Sequence, residues 1–198
     1  TYAIEGSVFI GGAVIQWLRD ELKLIKNAQE TEEIAEKLTG NEGVYIVPAF
    51  SGLGAPYWDM ESKGVITGLT RGTNASHIIR AALESIAFQV NDMIKCLNSD
   101  LKCQIKTLKV DGGATLNRFL MQFQSNISNI NVQKPNNIES TALGAALLSG
   151  IGSKYWIDID DLKNQKKDTV YLPKMNDASR EKILQEWKQA VEKCLQSN

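Results

Sequence analysis

Ile79, Leu83, Ile86, Val90, Met93 and Leu97 step by 4, 3, 4, 3 and 4 residues, and no other feature constrains this chain as tightly. Such a stripe predicts a helix over residues 76–97 with one apolar face, and that face must be covered by something. The covering elements are legible on either side. Strands are predicted at 2–5, 44–47, 64–69, 107–110 and 131–134. Helices are predicted from Gly6-Ser7 to about residue 24 with Ser7 as N-cap, at 31–38, and from Gly113-Ala114 to about residue 127. Two more follow, at 142–148 capped by Ser140 or Thr141, and at 178–195 capped by Asp177. Strands alternating with helices in this way predict an α/β architecture with helices layered on a sheet.

The charge balance excludes several classes of partner. Among 198 residues, 22 are Lys or Arg and 23 are Asp or Glu, a net charge of −1. A chain so balanced lacks the basic surplus with which proteins hold nucleic acid, so no nucleic-acid partner is expected. At 43% hydrophobic it can bury a core, but its apolar runs are short (residues 143–148, with Gly144 inside), so no membrane span is expected. Cys96, Cys103 and Cys194 have no Cys-x-x-Cys spacing and there is a single histidine, so no zinc set and no other metal site is expected. Reduced thiols in a cytoplasmic protein follow as the simplest reading. Asp158, Asp160 and Asp161 read as a solvated acidic turn, and the lysine-rich 163–167 as a surface turn. Trp17, Trp58, Trp156 and Trp187 read as core or half-buried packing residues.

Two glycine pairs carry the candidate chemistry. In Leu108-Lys109-Val110-Asp111-Gly112-Gly113-Ala114 an apolar strand stops at a Gly pair before a helix. Peptide N–H groups uncovered by side chains, at the positive end of a helix, suit a phosphate. Asn117 lies about one turn further on and could face the same ligand. The alternative is a tight turn that needs Gly only for positive φ. In Gly11-Gly12 with Gln16, Gly12 and Gln16 share a helix face. Glycine inside a helix costs about 1 kcal/mol against Ala, so something wants bare backbone there, either a ligand or a closely packed helix. His77 reads as a helix-start residue. Walker A, Gly-x-Ser-x-Gly and Gly-x-Gly-x-x-Gly patterns do not occur. Residues 48–59, with Gly, Pro and three aromatics, read as an ordered, self-packed loop or a subunit contact.

The run Gly64-Val65-Ile66-Thr67-Gly68-Leu69, followed after seven residues by His77-Ile78 and after two more by Ala81-Ala82-Leu83-Glu84, resembles the signature of the FGGY carbohydrate kinases. Three stretches resemble the branch of that family that phosphorylates glycerol: residues 12–20, 47–58 and 120–125. The resemblance runs from Tyr2 to about Gly150 and thins beyond it.

It implies the ribonuclease H-like, actin-like ATPase fold, of which this chain would be the C-terminal lobe of an FGGY kinase, truncated at its N-terminal edge. Residues 1–175 would form that lobe, and 176–198 a helix packed on it. The implied reaction moves the γ-phosphoryl of ATP, with Mg²⁺, to glycerol; a pentose or another polyol is the alternative acceptor. The implied nucleotide contacts are Gly113 at the phosphates, Asn117 at the nucleoside, and Gly12 with Gln16 from the earlier helix. The aspartate base and most glycerol contacts would lie on the other lobe, so no catalytic residue is assigned here. Asp111 is expected to hold the turn by hydrogen bonds. The full-length protein is expected to be a cytoplasmic homo-oligomer that binds ATP or ADP and glycerol.

Overall fold

A computed structural model describes residues 3–156 and 168–195. The acidic turn at 158–161, the lysine-rich run and Tyr2 of the first predicted strand lie outside the described residues. Residues 3–5 are not in a strand.

The periodic segment forms α3 (Ala75–Leu101), about which the rest is arranged. Asn74 caps it: its side chain accepts from the N–H groups of Ser76 and His77, and His77 Nδ1 accepts the Asn74 N–H at 3.2 Å. His77 is therefore the helix-start residue expected of it. The buried face is wider than the predicted stripe. Ala81, Ala82, Ala87 and Phe88 are buried, while Ile86, Val90 and Leu97 are only half-buried. A helix covered on more than one side shows this pattern. Here α1 (Ala13–Asp20), α2 (Glu30–Glu36), α4 (Arg118–Ser128) and strand β1 (Tyr45–Val47) all pack on it.

The sheet content differs from a single covered sheet. β1 pairs antiparallel with β2 (Val65–Thr67), placing Tyr45 opposite Thr67. Separately, β3 (Thr107–Lys109) runs parallel to β4 (Asn131–Lys134), which pairs antiparallel with β5 (Thr169–Tyr171). β5 has no counterpart among the predicted strands. α5 (Ser140–Gly152) starts from Glu139 with no side-chain cap, so neither Ser140 nor Thr141 serves, and none of its residues is buried.

α6 (Asp177–Leu195) closes the core. Its cap is Asn176, whose Oδ1 accepts the Ser179 N–H at 2.9 Å, in place of Asp177. Trp187 is stacked on Phe88 with ring centroids 4.9 Å apart, and Trp187 Nε1 donates to Asp92 Oδ2 at 2.7 Å. Tyr57 Oη donates to the same oxygen at 2.7 Å, tying the 48–59 loop to this core. Burial pushes the Asp92 carboxyl above its ordinary range, opposed by those two hydrogen bonds. Within the loop, the Leu53 and Asp59 backbones exchange hydrogen bonds at 2.7 and 3.0 Å, as a self-packed loop would. Trp58 departs from expectation: it is 67% exposed with φ +50°, so it is not a packing residue.

Candidate functional site

One glycine of each pair, Gly12 and Gly113, lines a single cleft of about 660 Å³. α1 supplies one wall with Gly12, Ile15, Gln16 and Arg19, and α2 supplies the other with Thr31, Glu32, Glu33 and Glu36. α3 contributes Leu83 and Ile86, and the segment between β3 and α4 contributes Gly113, Ala114, Leu116, Asn117 and Arg118. All four residues singled out in the sequence, Gly12, Gln16, Gly113 and Asn117, therefore line a single concavity. The arrangement joins an apolar patch (Ile15, Leu83, Ile86) to a polar rim, as small-molecule sites commonly do.

Gly112 differs from Gly113 and Gly12 in its reason to be glycine. Gly112 adopts φ +83° and ψ 171°, a region open essentially to glycine alone, and its N–H is spent on the Ile138 carbonyl at 2.8 Å. The conformational alternative is thus correct for Gly112. It does not extend to Gly113, which opens a 3₁₀ turn, Gly113–Leu116, with no positive φ. A Cβ built on Gly113 would meet no heavy atom within 4 Å. As the first residue of the turn, Gly113 also has no preceding helical carbonyl to receive its N–H.

Gly12 is similar. It is the N-cap of α1 with φ −56° and ψ −18°, and a Cβ there would also meet nothing. Two expectations are corrected by this. The helix begins at Ala13 and not near Ser7, so the Gly pair precedes it and carries no helix-interior cost. No packed helix explains Gly12 either. The Gln16 N–H donates to the Gly12 carbonyl at 3.3 Å, so both residues occupy the first turn facing the cleft. The turn after β3 is shaped by Thr115, whose Oγ1 donates to the Gly112 carbonyl at 2.7 Å. Asp111 is exposed and forms no side-chain hydrogen bond among the described residues, so the role expected of it belongs to Thr115.

Asn117 caps α4: its Oδ1 accepts the Leu120 N–H at 2.9 Å. Its Nδ2 donates to Thr31 Oγ1 at 3.0 Å. The neighbouring Glu32 accepts from the Arg118 N–H and from Arg118 Nε, both at 2.7 Å. That hydrogen bond and charge push the Arg118 guanidinium further up its basic range. Sequence reasoning missed Thr31 and Glu32, which had read only as part of the helix predicted at 31–38.

α3 also carries a buried ion pair. Arg80 Nε meets Glu84 Oε1 at 2.7 Å, and Asn41 Nδ2 donates to Glu84 Oε2 at 2.8 Å. Arg80 Nη1 also donates to the carbonyls of Ala35 and Leu38 at the end of α2, and the guanidinium lies 5.0 Å from the Phe119 ring centroid. Burial raises the Glu84 carboxyl above its ordinary range, and Arg80 opposes the shift.

Residues 1–153 match the C-terminal domain of the FGGY family of carbohydrate kinases. The fold is that of the ribonuclease H-like, actin-like ATPase class. Within that class, the chain belongs to the FGGY carbohydrate kinase family. It is 51% identical over 195 residues to the glycerol kinase of Alkaliphilus metalliredigens and 53% identical to that of Clostridium botulinum. Both alignments cover 98% of this chain and 39% of the relative, so the chain spans about two fifths of the length of the curated relatives it matches. Among solved structures it resembles Plasmodium falciparum glycerol kinase with ADP, at a TM-score of 0.86 and 41% identity. That match covers 96% of this chain and 38% of the other. A xylulose kinase from Lactobacillus acidophilus shares the fold at a TM-score of 0.73 and 24% identity, covering 94% and 38%. No helix among the described residues is long and apolar enough to cross a membrane.

Proposed function

We propose that the cleft holds the adenine nucleotide of a glycerol kinase, and that the full-length protein transfers the γ-phosphoryl of ATP to glycerol, giving sn-glycerol 3-phosphate and ADP. One observation carries the reading. Gly12 and Gly113 face the same cleft, and neither backbone conformation nor any protein neighbour requires glycine at either place. Bare backbone on both sides of a concavity suits a ligand that must approach closely. Gly113 takes the phosphate end, where free peptide N–H groups meet negative charge. Gln16 and Asn117 hold the nucleoside beside the apolar patch of Ile15, Leu83 and Ile86.

Glycerol is preferred over a pentose as acceptor because the 51–53% identity is to glycerol kinases, whereas the likeness to the xylulose kinase, at 24%, supports the fold alone. No group of three or more His, Cys, Asp or Glu side chains that could hold a metal occurs among the described residues. Mg²⁺ enters as part of the MgATP substrate, held by the phosphates. The base that takes the glycerol proton lies outside this chain, and closure of the two lobes excludes water from the transfer. The domain division expected from the sequence, a lobe with the closing helix packed on it, is supported among the described residues by Trp187 of α6 stacked on Phe88. The free thiols Cys96, Cys103 and Cys194 support a cytoplasmic protein. Exposed Trp58 and Met60 support a subunit contact in a homo-oligomer.

A coupled assay tests this. The full-length protein is expected to consume ATP with glycerol and not with xylulose, and the 198-residue chain alone to show no turnover and at most weak ADP binding. Turnover with xylulose in place of glycerol would overturn the acceptor assignment. Phosphorylation of glycerol by the isolated chain would overturn the placing of the base elsewhere.

A further inference from the structure

The nucleotide wall is held from across the cleft. Three hydrogen bonds join α2 to the first turn of α4, all between residues 86 apart in sequence: Asn117 Nδ2 to Thr31 Oγ1, and the Arg118 N–H and Nε to Glu32. Thr31 is 1% exposed, and its own hydroxyl hydrogen is donated to the Ala28 carbonyl at 2.6 Å. Its oxygen is therefore available only as an acceptor toward Asn117. Asn117 is then fixed at both ends of its amide. Oδ1 is engaged by Leu120 N–H and one Nδ2 hydrogen by Thr31, which leaves the second Nδ2 hydrogen for an acceptor atom on a ligand. Glu32 is 19% exposed and Arg118 70%, so the carboxylate anchors a guanidinium that otherwise lies open at the cleft rim.

We infer that Thr31 and Glu32 are positioning residues for the nucleotide: Thr31 orients the Asn117 amide and Glu32 seats Arg118, so that both face the cleft before the ligand arrives. The inference rests on the nucleotide reading given above and adds residues that touch the ligand only through others. A fixed donor loses less freedom on binding than a swinging one, so removing the anchor weakens the ligand contact even though the contacting side chain remains.

The test uses the full-length protein with Thr31→Val, Thr31→Ser and Glu32→Gln, read by ADP titration calorimetry and by KM for ATP and for glycerol. Thr31→Val keeps the shape and removes the acceptor. It is expected to weaken ADP binding and raise the ATP KM about five- to tenfold, the effect of one lost hydrogen bond, with the glycerol KM unchanged. Thr31→Ser is expected to restore both to within about twofold, since a serine hydroxyl offers the same acceptor. Glu32→Gln, at a more exposed site, is expected to raise the ATP KM in the same selective way and keeps the question open to measurement should Thr31→Val not fold. Equal rises in both KM values, or no recovery with serine, would mean a merely structural role and overturn the inference. ADP bound normally by Thr31→Val and Glu32→Gln would overturn it while leaving the nucleotide reading intact. Failure of the unaltered protein to bind ADP would overturn the nucleotide reading and this inference with it.

Discussion

Gly113→Val in the full-length protein is expected to weaken ADP binding more than tenfold while the unfolding midpoint stays close to that of the parent. Both halves follow from the same geometry. Gly113 has no positive φ, and the space beside it is open to 4 Å. The β-carbon of a valine therefore meets no protein atom within 4 Å, and a substitution that neither strains the backbone nor overlaps a neighbour stays within about 0.5 kcal/mol in stability. Its methyl groups would instead stand in the cleft, between the peptide N–H and any phosphate approaching it. A displacement of even about 1 Å removes most of a charge-assisted hydrogen bond, and loss of one or two such bonds, at roughly 1.5–3 kcal/mol each, is a tenfold effect or more. Gly112→Val provides the contrast, because φ +83° with ψ 171° strains any side chain and the loss there is in stability. Calorimetric ADP titration paired with denaturant unfolding separates the two. Normal ADP affinity in Gly113→Val would remove the phosphate assignment.

Arg80→Met is expected to cost about 3–5 kcal/mol of stability, the typical result of breaking a buried ion pair from one side. The Glu84 side chain is 3% exposed, and without Arg80 its carboxylate keeps only Asn41. The same substitution releases the carbonyls of Ala35 and Leu38, so the end of α2 loses its cap and the cleft wall loosens. Glu84 also sets the pH dependence. Its folded pKa lies above the unfolded one, so the protonated form is favoured by folding. The stability it contributes is present below the ordinary carboxylate range and lost as pH rises through the folded value. Removing Arg80 takes away an opposing influence and raises that folded value further. The deficit of Arg80→Met is therefore expected to shrink as pH falls toward about 4, and Arg80→Met/Glu84→Gln to recover much of it at neutral pH. A deficit below about 1 kcal/mol, or one that grows on acidification, would contradict the role given to the pair.

What could be read from the residues and what could not divide along physical lines. α3 was legible because periodicity is a local property repeated over many turns. Gly12, Gln16, Gly113 and Asn117 were legible as two separate suspicions, each with an innocent alternative. Only the family resemblance joined them, since no local rule brings residue 12 to residue 113. The start of α1 was misread because Ser7 looks like a cap and the apolar spacing beyond it does not say where the helix begins; the glycines themselves mark that point. β5 follows closely on the lysine-rich run that read as a surface turn, so no strand was read there. Thr31 and Glu32 could not be found at all. A threonine and a glutamate on a charged helix look like solvent-facing residues, and their partners lie 86 positions away. The exposure of Trp58 was also invisible, because a large aromatic is more often covered than not.

Amide hydrogen exchange on the full-length protein, with and without saturating ADP, tests the nucleotide assignment most directly. Slowed exchange is predicted at residues 12–16 and 113–117 together, on two segments that share nothing but the cleft between them, with β2 and the loop carrying Trp58 unchanged. Protection confined to other parts of the chain, with both glycine segments exchanging as fast as in the free protein, would contradict it.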